Sequence, residues 1–223
     1  MLEFFCFDPE IAKKMPIVPM STLKYDWIAR AREHYKKHPE HFETTKCPGI
    51  MSIVNRGWTQ RAYQDIIVET RGNLKSYIGY EKDRQIKKRG GKYMLEYVSG
   101  GHPADQMWSF RKEWPKETMH CVVKIQSPWF VKVPEGYSLL FLPVPYAEDV
   151  RFTAAPGFIK GNSFLNIQLF WHCTNSKEVI KAGTPLNQMI LIKDEKVEMR
   201  QSVIEDVDSF MREEYPEVYK REN

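Results

Sequence analysis

The chain lacks the closely spaced cysteine pairs that hold zinc or frame a small secreted domain. Its 4 cysteines, Cys6, Cys47, Cys121 and Cys173, stand far apart with no C-x-x-C among them. A zinc knuckle is therefore excluded, and the thiols are expected to be reduced, in a cytoplasmic setting. Long apolar runs are missing as well. The opening MLEFFCF is too short for a signal segment or a membrane span and reads as a first strand. There is no phosphate loop, no G-x-G-x-x-G, no H-E-x-x-H and no G-x-S-x-G. Their absence removes the commonest nucleotide kinases, dehydrogenases, zinc proteases and α/β-hydrolases. Charge of one sign is scarce too: a net +4 over 223 residues is a mild bias, and no nucleic-acid-binding module accompanies it. Internal repeats, heptads and linker-like composition are also missing.

What is present is punctuated β structure. From Lys132 to Ile192, short apolar runs are cut by Pro134-Glu135-Gly136, Pro156-Gly157, Gly161-Asn162 and Ala182-Gly183-Thr184-Pro185. Turn residues at such intervals predict several short strands folded into one compact β unit. Earlier strands are expected at Leu2–Phe7, Met51–Asn55, Ala62–Thr70, Ser76–Tyr80, Lys92–Val98 and His120–Ile125, with a hairpin at Arg71-Gly72-Asn73. Asp8 to Pro19, with three prolines, reads as extended chain. Ser21-Thr22 would cap a helix from about Leu23 to Lys37. Val203, Ile204, Val207 and Phe210 fit an amphipathic helix within 196–223, stopped by Pro216. The expectation is a mainly β fold, β-clip or jelly-roll-like, with flanking N-terminal and C-terminal helices. It forms a single domain over 1–223: strand, wrap and helix in 1–45, β core in 46–195, C-terminal helix in 196–223.

Candidate chemistry concentrates in a few places. His102, Asp105, Gln106 and Trp108, in a loop that opens with Ser99-Gly100-Gly101, form the densest run of chemically useful side chains, which also reads as an aromatic loop packed on the sheet with its polar ends in water. Asp105 there would orient His102 as a base. With His172, the pair His102 and Asp105 is the loose counterpart of a jelly-roll oxygenase iron site. The His-x-x-Asp spacing, however, puts those two side chains on opposite sides of a strand. His34, His38 and His41, at i, i+4 and i+7, could form a metal face, although their polar setting also suits a solvated helix end. The basic run Lys82–Lys92 reads as a hairpin tip or as a contact for an acidic or phosphate-bearing partner.

Two resemblances add to this reading. Pro134-Glu135-Gly136-Tyr137, then Pro156-Gly157-Phe158-Ile159, then Ile180 to Gln188 (IKAGTPLNQ) resemble the dUTPase and dCTP deaminase family. There a P-x-G-y turn is followed by G-[VI]-I-D and I-x-x-G-[DT]-x-[IL]-x-Q. This resemblance implies a β-clip core. Lys160 stands where that family places its water-orienting Asp, no Arg-Ser pair follows Gly136, and the stacking aromatic falls at Ser163 or Phe164. The resemblance therefore implies the shape without that catalysis. Pro16-Ile17-Val18-Pro19, Lys46-Cys47-Pro48-Gly49, Gln64-Asp65-Ile66, Ser127-Pro128-Trp129, the Pro134 to Leu139 element and Gly183-Thr184-Pro185 together resemble a tailed-phage and bacterial family with no assigned activity. That implies a phage or bacterial setting, in the host cytoplasm or the virion.

The leading expectation is a noncatalytic binding or assembly module. Its ligand would meet Trp129, Tyr137, Gly157, Lys160 and Gln188. Its partners would be a nucleotide or acidic molecule and further copies of the chain, a trimer favoured, with no membrane contact. A nucleotide-directed hydrolase or nucleotide-binding protein and an iron-dependent oxygenase are the alternatives. No cofactor is specified.

Overall fold

The computed structural model describes residues 1–80, 83–89, 92–98, 113, 115–217 and 220, with backbone alone at 77, 79, 80, 83–89 and 92–98. In chain order the first elements are β1 (Glu3–Cys6), α1 (Pro9–Lys14), β2 (Val18–Pro19), α2 (Asp26–Lys37), α3 (Pro48–Asn55), β3 (Trp58–Thr59), β4 (Ile66–Thr70) and β5 (Tyr77–Tyr80). Then come β6 (Asp83–Arg89), β7 (Lys92–Val98), β8 (Val122–Ile125), β9 (Trp129–Lys132), β10 (Tyr137–Leu142), β11 (Phe152–Ala154) and β12 (Gly157–Ile159). The rest are β13 (Asn162–Phe164), β14 (Ile167–Trp171), β15 (Lys177–Ile180), β16 (Gln188–Lys193) and α4 (Val207–Glu214). Every pairing among the described strands is antiparallel. The fold is mainly β with flanking helices, as the sequence pattern predicts.

The strands form small sheets in the orders β1-β9-β13, β12-β10-β16-β3-β2, β11-β14-β8, β15-β4-β5 and β6-β7. Two apolar clusters hold them. One gathers Ile66, Val68, Val123, Ile125, Leu169, Trp171 and Ile180 from β4, β8, β14 and β15. The other gathers Trp129, Val131, Leu139, Phe141 and Met189 from β9, β10 and β16, with Leu165. Period-2 alternation explains the assignment. In β4, Ile66, Val68 and Thr70 turn inward while Ile67 and Glu69 do not, and in β14, Ile167, Leu169 and Trp171 turn inward. Each such fully buried aliphatic side chain contributes about 1.5–3 kcal/mol.

In the second of these sheets β3 pairs antiparallel with β16, Trp58 opposite Met189. Gly57, at φ +75°, makes that approach possible, since a Cβ there would stand 2.0 Å from the Met189 carbonyl oxygen. The approach brings Thr59 and Gln60 against Asn187 and Gln188.

The helices depart from the expectation in four ways. Asp8-Pro9 starts helix α1 instead of continuing an extended wrap. The Asp8 carboxylate accepts from the N–H groups of Glu10 (3.0 Å) and Ile11 (3.1 Å), and Pro9 occupies the first turn. Helix α2 begins at Asp26 and not near Leu23, because Ser21 and Thr22 lie in a separate 3₁₀ turn. Met51–Asn55 is part of α3 and not a strand: a short apolar run has no decisive period, and Pro48 at the first turn favours the helix. The C-terminal helix α4 starts at Val207, capped by Asp206 accepting from Ser209 N–H at 3.0 Å, and ends at Glu214; the break falls at Tyr215 and not at Pro216, which is itself helical with Glu217. Residues 194–206 have no helix or strand, and Val197, Met199 and Val203 are exposed. The Arg71-Gly72-Asn73 hairpin is present, with Thr70 opposite Tyr77. Among the described residues no helix is long and apolar enough to cross a membrane.

Candidate functional site

A cleft of about 300 Å³ opens beside the boundary of the two clusters. The chain crosses from one sheet to another at Ala155-Pro156, between β11 and β12, and again at Leu165-Asn166, between β13 and β14. Those crossings supply much of its wall. Lys124 of β8 and Gln168 of β14 are direct cross-strand neighbours that alternate out of the apolar core, and both line the cleft. Phe141, Phe158 and Phe164 add aromatic surface, and Asn166 and Asn187 add amides. Among the described residues the lining contains one cation and no Asp, Glu, His or Cys.

Behind this cleft runs a seam of buried amides. Gln60 N–H donates to Asn187 Oδ1 (3.1 Å), and Gln60 Nε2 donates to Ser127 Oγ (2.7 Å). Thr59 Oγ1 donates to the Asn187 carbonyl (2.6 Å). Ser127 N–H donates to Asn166 Oδ1 (3.0 Å), and Trp129 N–H donates to Ser127 Oγ (3.0 Å). Gln60, Asn187 and Gln188 are at most 1 % exposed. Asn187 Nδ2 and Gln60 Oε1 nevertheless have no hydrogen-bond partner among the described residues. A buried polar atom left this way costs about 1–3 kcal/mol, and of the two residues Asn187 is the one that also lines the cleft.

The residues expected from sequence disperse over several roles. Gly157 lines the cleft. Gln188 does not: its Nε2 donates to the carbonyls of Ile53 (2.7 Å) and Arg56 (2.8 Å), closing the C-terminal end of α3. Trp129 is buried in the second apolar cluster. Tyr137 packs against that cluster after the Gly136 turn, its N–H on the Pro134 carbonyl at 3.2 Å. Lys160 lies at the β12–β13 turn, 3.0 Å from Asp194 Oδ2. A carboxylate thus does accompany this cation, supplied by the residue just after β16. Asp194 also accepts from Ser138 Oγ at 2.6 Å. The Ser138 hydroxyl first, and Lys160 after it, hold the Asp194 carboxyl below the usual carboxylate range.

His172 has both ring nitrogens engaged by hydroxyls, Nδ1 with Thr118 Oγ1 (3.0 Å) and Nε2 with Thr153 Oγ1 (2.9 Å). That arrangement pins β14 and presents no bare nitrogen to a metal. His102, Asp105 and Gln106 lie outside the described residues, so a convergence with His172 forms no part of the described site. Gln60, Asn166 and Asn187 went unnoticed in the sequence, because nothing local marks a polar residue that distant strands will bury. The only signal was the position of Asn187 beside Gln188 at the start of an apolar run.

A second cleft, about 310 Å³, is lined by Pro143, Tyr146, Asp149, Val150, Phe152 and Leu186 among others. Its one acid is committed. Arg151 donates through Nε (2.9 Å) and Nη2 (2.7 Å) to Asp149, and through Nη1 to Glu178 (3.3 Å) and the Val179 carbonyl (2.9 Å). Burial works to raise the Asp149 carboxyl, but the bonds to Arg151 outweigh it and leave the carboxyl below its ordinary range.

No family model matches this chain, and neither does any curated protein. Among solved structures, the chain is similar to a mutant dUTPase of Staphylococcus bacteriophage 80alpha, solved with dUpNHpp, at a TM-score of 0.32 and 13 % identity. The alignment covers 67 % of this chain and 86 % of that chain. A likeness at this score carries no argument about the site.

Proposed function

We propose that this protein is a noncatalytic binding module whose ligand occupies the cleft between β8, β12 and β14. The observation that carries this reading is the lining itself: among the described residues it offers amides, phenylalanine rings and one lysine, without a carboxylate, imidazole or thiol. Metal assistance draws on groups of those kinds, and a general base would have to be Lys124, the one titratable side chain in the described lining. Binding needs neither. One cation with several amides and aromatic surface suits a small anion that carries a planar ring, and a nucleotide is the class that fits. The chain is read as one domain, and self-association, with a trimer favoured, belongs to the same proposal. The register Phe5–Phe130–Phe164 across β1, β9 and β13 supports it, since Phe5 and Phe164 are exposed. A phage or bacterial origin and a cytoplasmic or virion location follow the sequence resemblances alone.

A thermal-shift screen with nucleoside mono-, di- and triphosphates, paired with a phosphate-release assay, tests this. A ligand at 100 times its Kd should stabilise the protein by about 2.7 kcal/mol, with no product formed. The shift should disappear in Asn187→Asp, which keeps the acceptor for Gln60 and removes the unmatched donor. Turnover of any nucleotide, or no shift with all of them, overturns the proposal.

A further inference from the structure

Three of the 6 histidines fall between residues 34 and 41, and the local fold brings all three together. Helix α2 places His34 and His38 one turn apart, with ring centroids 4.7 Å from each other. The chain then turns back through His38-Pro39-Glu40-His41. Its His41 N–H donates to the His38 carbonyl at 3.0 Å, and proline sits at the second turn position, where its fixed φ is favoured. The turn stacks His38 on His41 at 5.2 Å with an interplanar angle of 14°.

The donor atoms are spaced as ligands. His38 Nδ1 is 3.5 Å, and His41 Nε2 3.6 Å, from the same Glu40 oxygen. Both distances are long for a hydrogen bond. They match the separation of roughly 3.3–3.5 Å between neighbouring ligands of a tetrahedral ion bound at about 2.0–2.1 Å. Ligand atoms of His38, Glu40 and His41 all lie within 4.8 Å of one another, the one such group of three among the described residues. The remaining imidazole has a supporting role: His34 Nε2 stands 3.0 Å from His41 Nδ1. An N–H on His41 Nδ1 donating to His34 would leave the Nε2 lone pair aimed at the ion, as outer partners of metal-bound histidines do. The carbonyl end of α2 adds partial negative charge beside a cation.

We infer that His38, Glu40 and His41 form a binding site for a divalent transition ion of the zinc class. His34 is its positioning residue, and a water completes the fourth position. Two imidazoles and one carboxylate suit Zn²⁺ rather than Ca²⁺ or Mg²⁺, which prefer oxygen donors throughout. The ion would clip the end of α2 to the turn that follows it.

The test is a calorimetric titration of the untagged, chelator-treated full chain with Zn²⁺, and with Mg²⁺ as comparison. One Zn²⁺ per chain should bind and Mg²⁺ should not. His38→Ala/His41→Ala should abolish binding, while its far-UV spectrum stays that of the parent because both rings are exposed. His34→Ala should keep the stoichiometry and weaken binding roughly 10-fold, the effect expected of an orienting partner. Absence of saturable Zn²⁺ binding, or binding that survives the double substitution, overturns the inference.

Discussion

The two clefts of this molecule are nearly the same size, about 300 and 310 Å³, yet their walls differ in one respect. Around the second, the polar groups are closed on one another: Arg151 grips Asp149 through two nitrogens and reaches Glu178 and the Val179 carbonyl besides. Around the first, the polar groups are one lysine, a hydroxyl and uncharged amides, and in the seam behind it Asn187 Nδ2 and Gln60 Oε1 have no partner among the described residues. Volume alone does not separate a site from a gap between strands. The separation comes from whether the buried polar atoms already have partners.

The comparison breaks most severely at the pairing that creates the amide seam. Gly57→Ala forces a left-handed φ on a residue with a Cβ and drives that Cβ into the Met189 carbonyl. It should cost about 3 kcal/mol or more and disturb the first cleft, measured by urea unfolding and loss of nucleotide binding. Next is Gln188→Leu, which keeps the volume but frees the carbonyls of Ile53 and Arg56. It should cost about 2 kcal/mol in urea and leave ligand affinity close to the parent's, since the Gln188 side chain is not part of the lining.

The charged wall has its own signature, in acid. A carboxyl depressed in the folded state contributes stability at pH values above its unfolded pKa, about 3.9 for Asp. That stability is lost as pH falls through the folded value. Asp149, Asp65 and Asp194 are all depressed, so the protein should lose stability below about pH 4. Asp149→Asn should shallow that acid limb in pH-dependent urea midpoints. It should cost about 1 kcal/mol at neutral pH, given partial solvent screening. The smallest effect belongs to Lys160→Ala. Its ion pair with Asp194 is exposed on the lysine side, and neither the urea midpoint nor nucleotide binding should change measurably.

The sequence made the β body legible because turn residues and period-2 alternation are local signals. Ile66, Val68 and Thr70 announce which face of β4 is buried without knowledge of any other strand. Met51–Asn55 carries no such period; Pro48 at the first turn favours the helix, and the bond that closes its end comes from Gln188, 135 residues from Ile53. Gly157 was found through its turn motif. Asn187 and Gln60 have no such motif, since the need of a buried amide for a partner arises only once β3 pairs with β16. Lys160 stands where the resemblance places an acid, and the structure sets Asp194, just after β16, beside it, a pairing no local pattern announces.

The most direct measurement is the side-chain amide NMR spectrum of the protein titrated with the nucleotide that gives the largest thermal shift. The account predicts that the Asn187 Nδ2–H₂ pair moves most, together with the backbone amides of Lys124, Gly157 and Gln168, while those of Tyr146, Asp149 and Val150 stay in place. Movement centred on Tyr146 to Val150, with Asn187 unchanged, would contradict it.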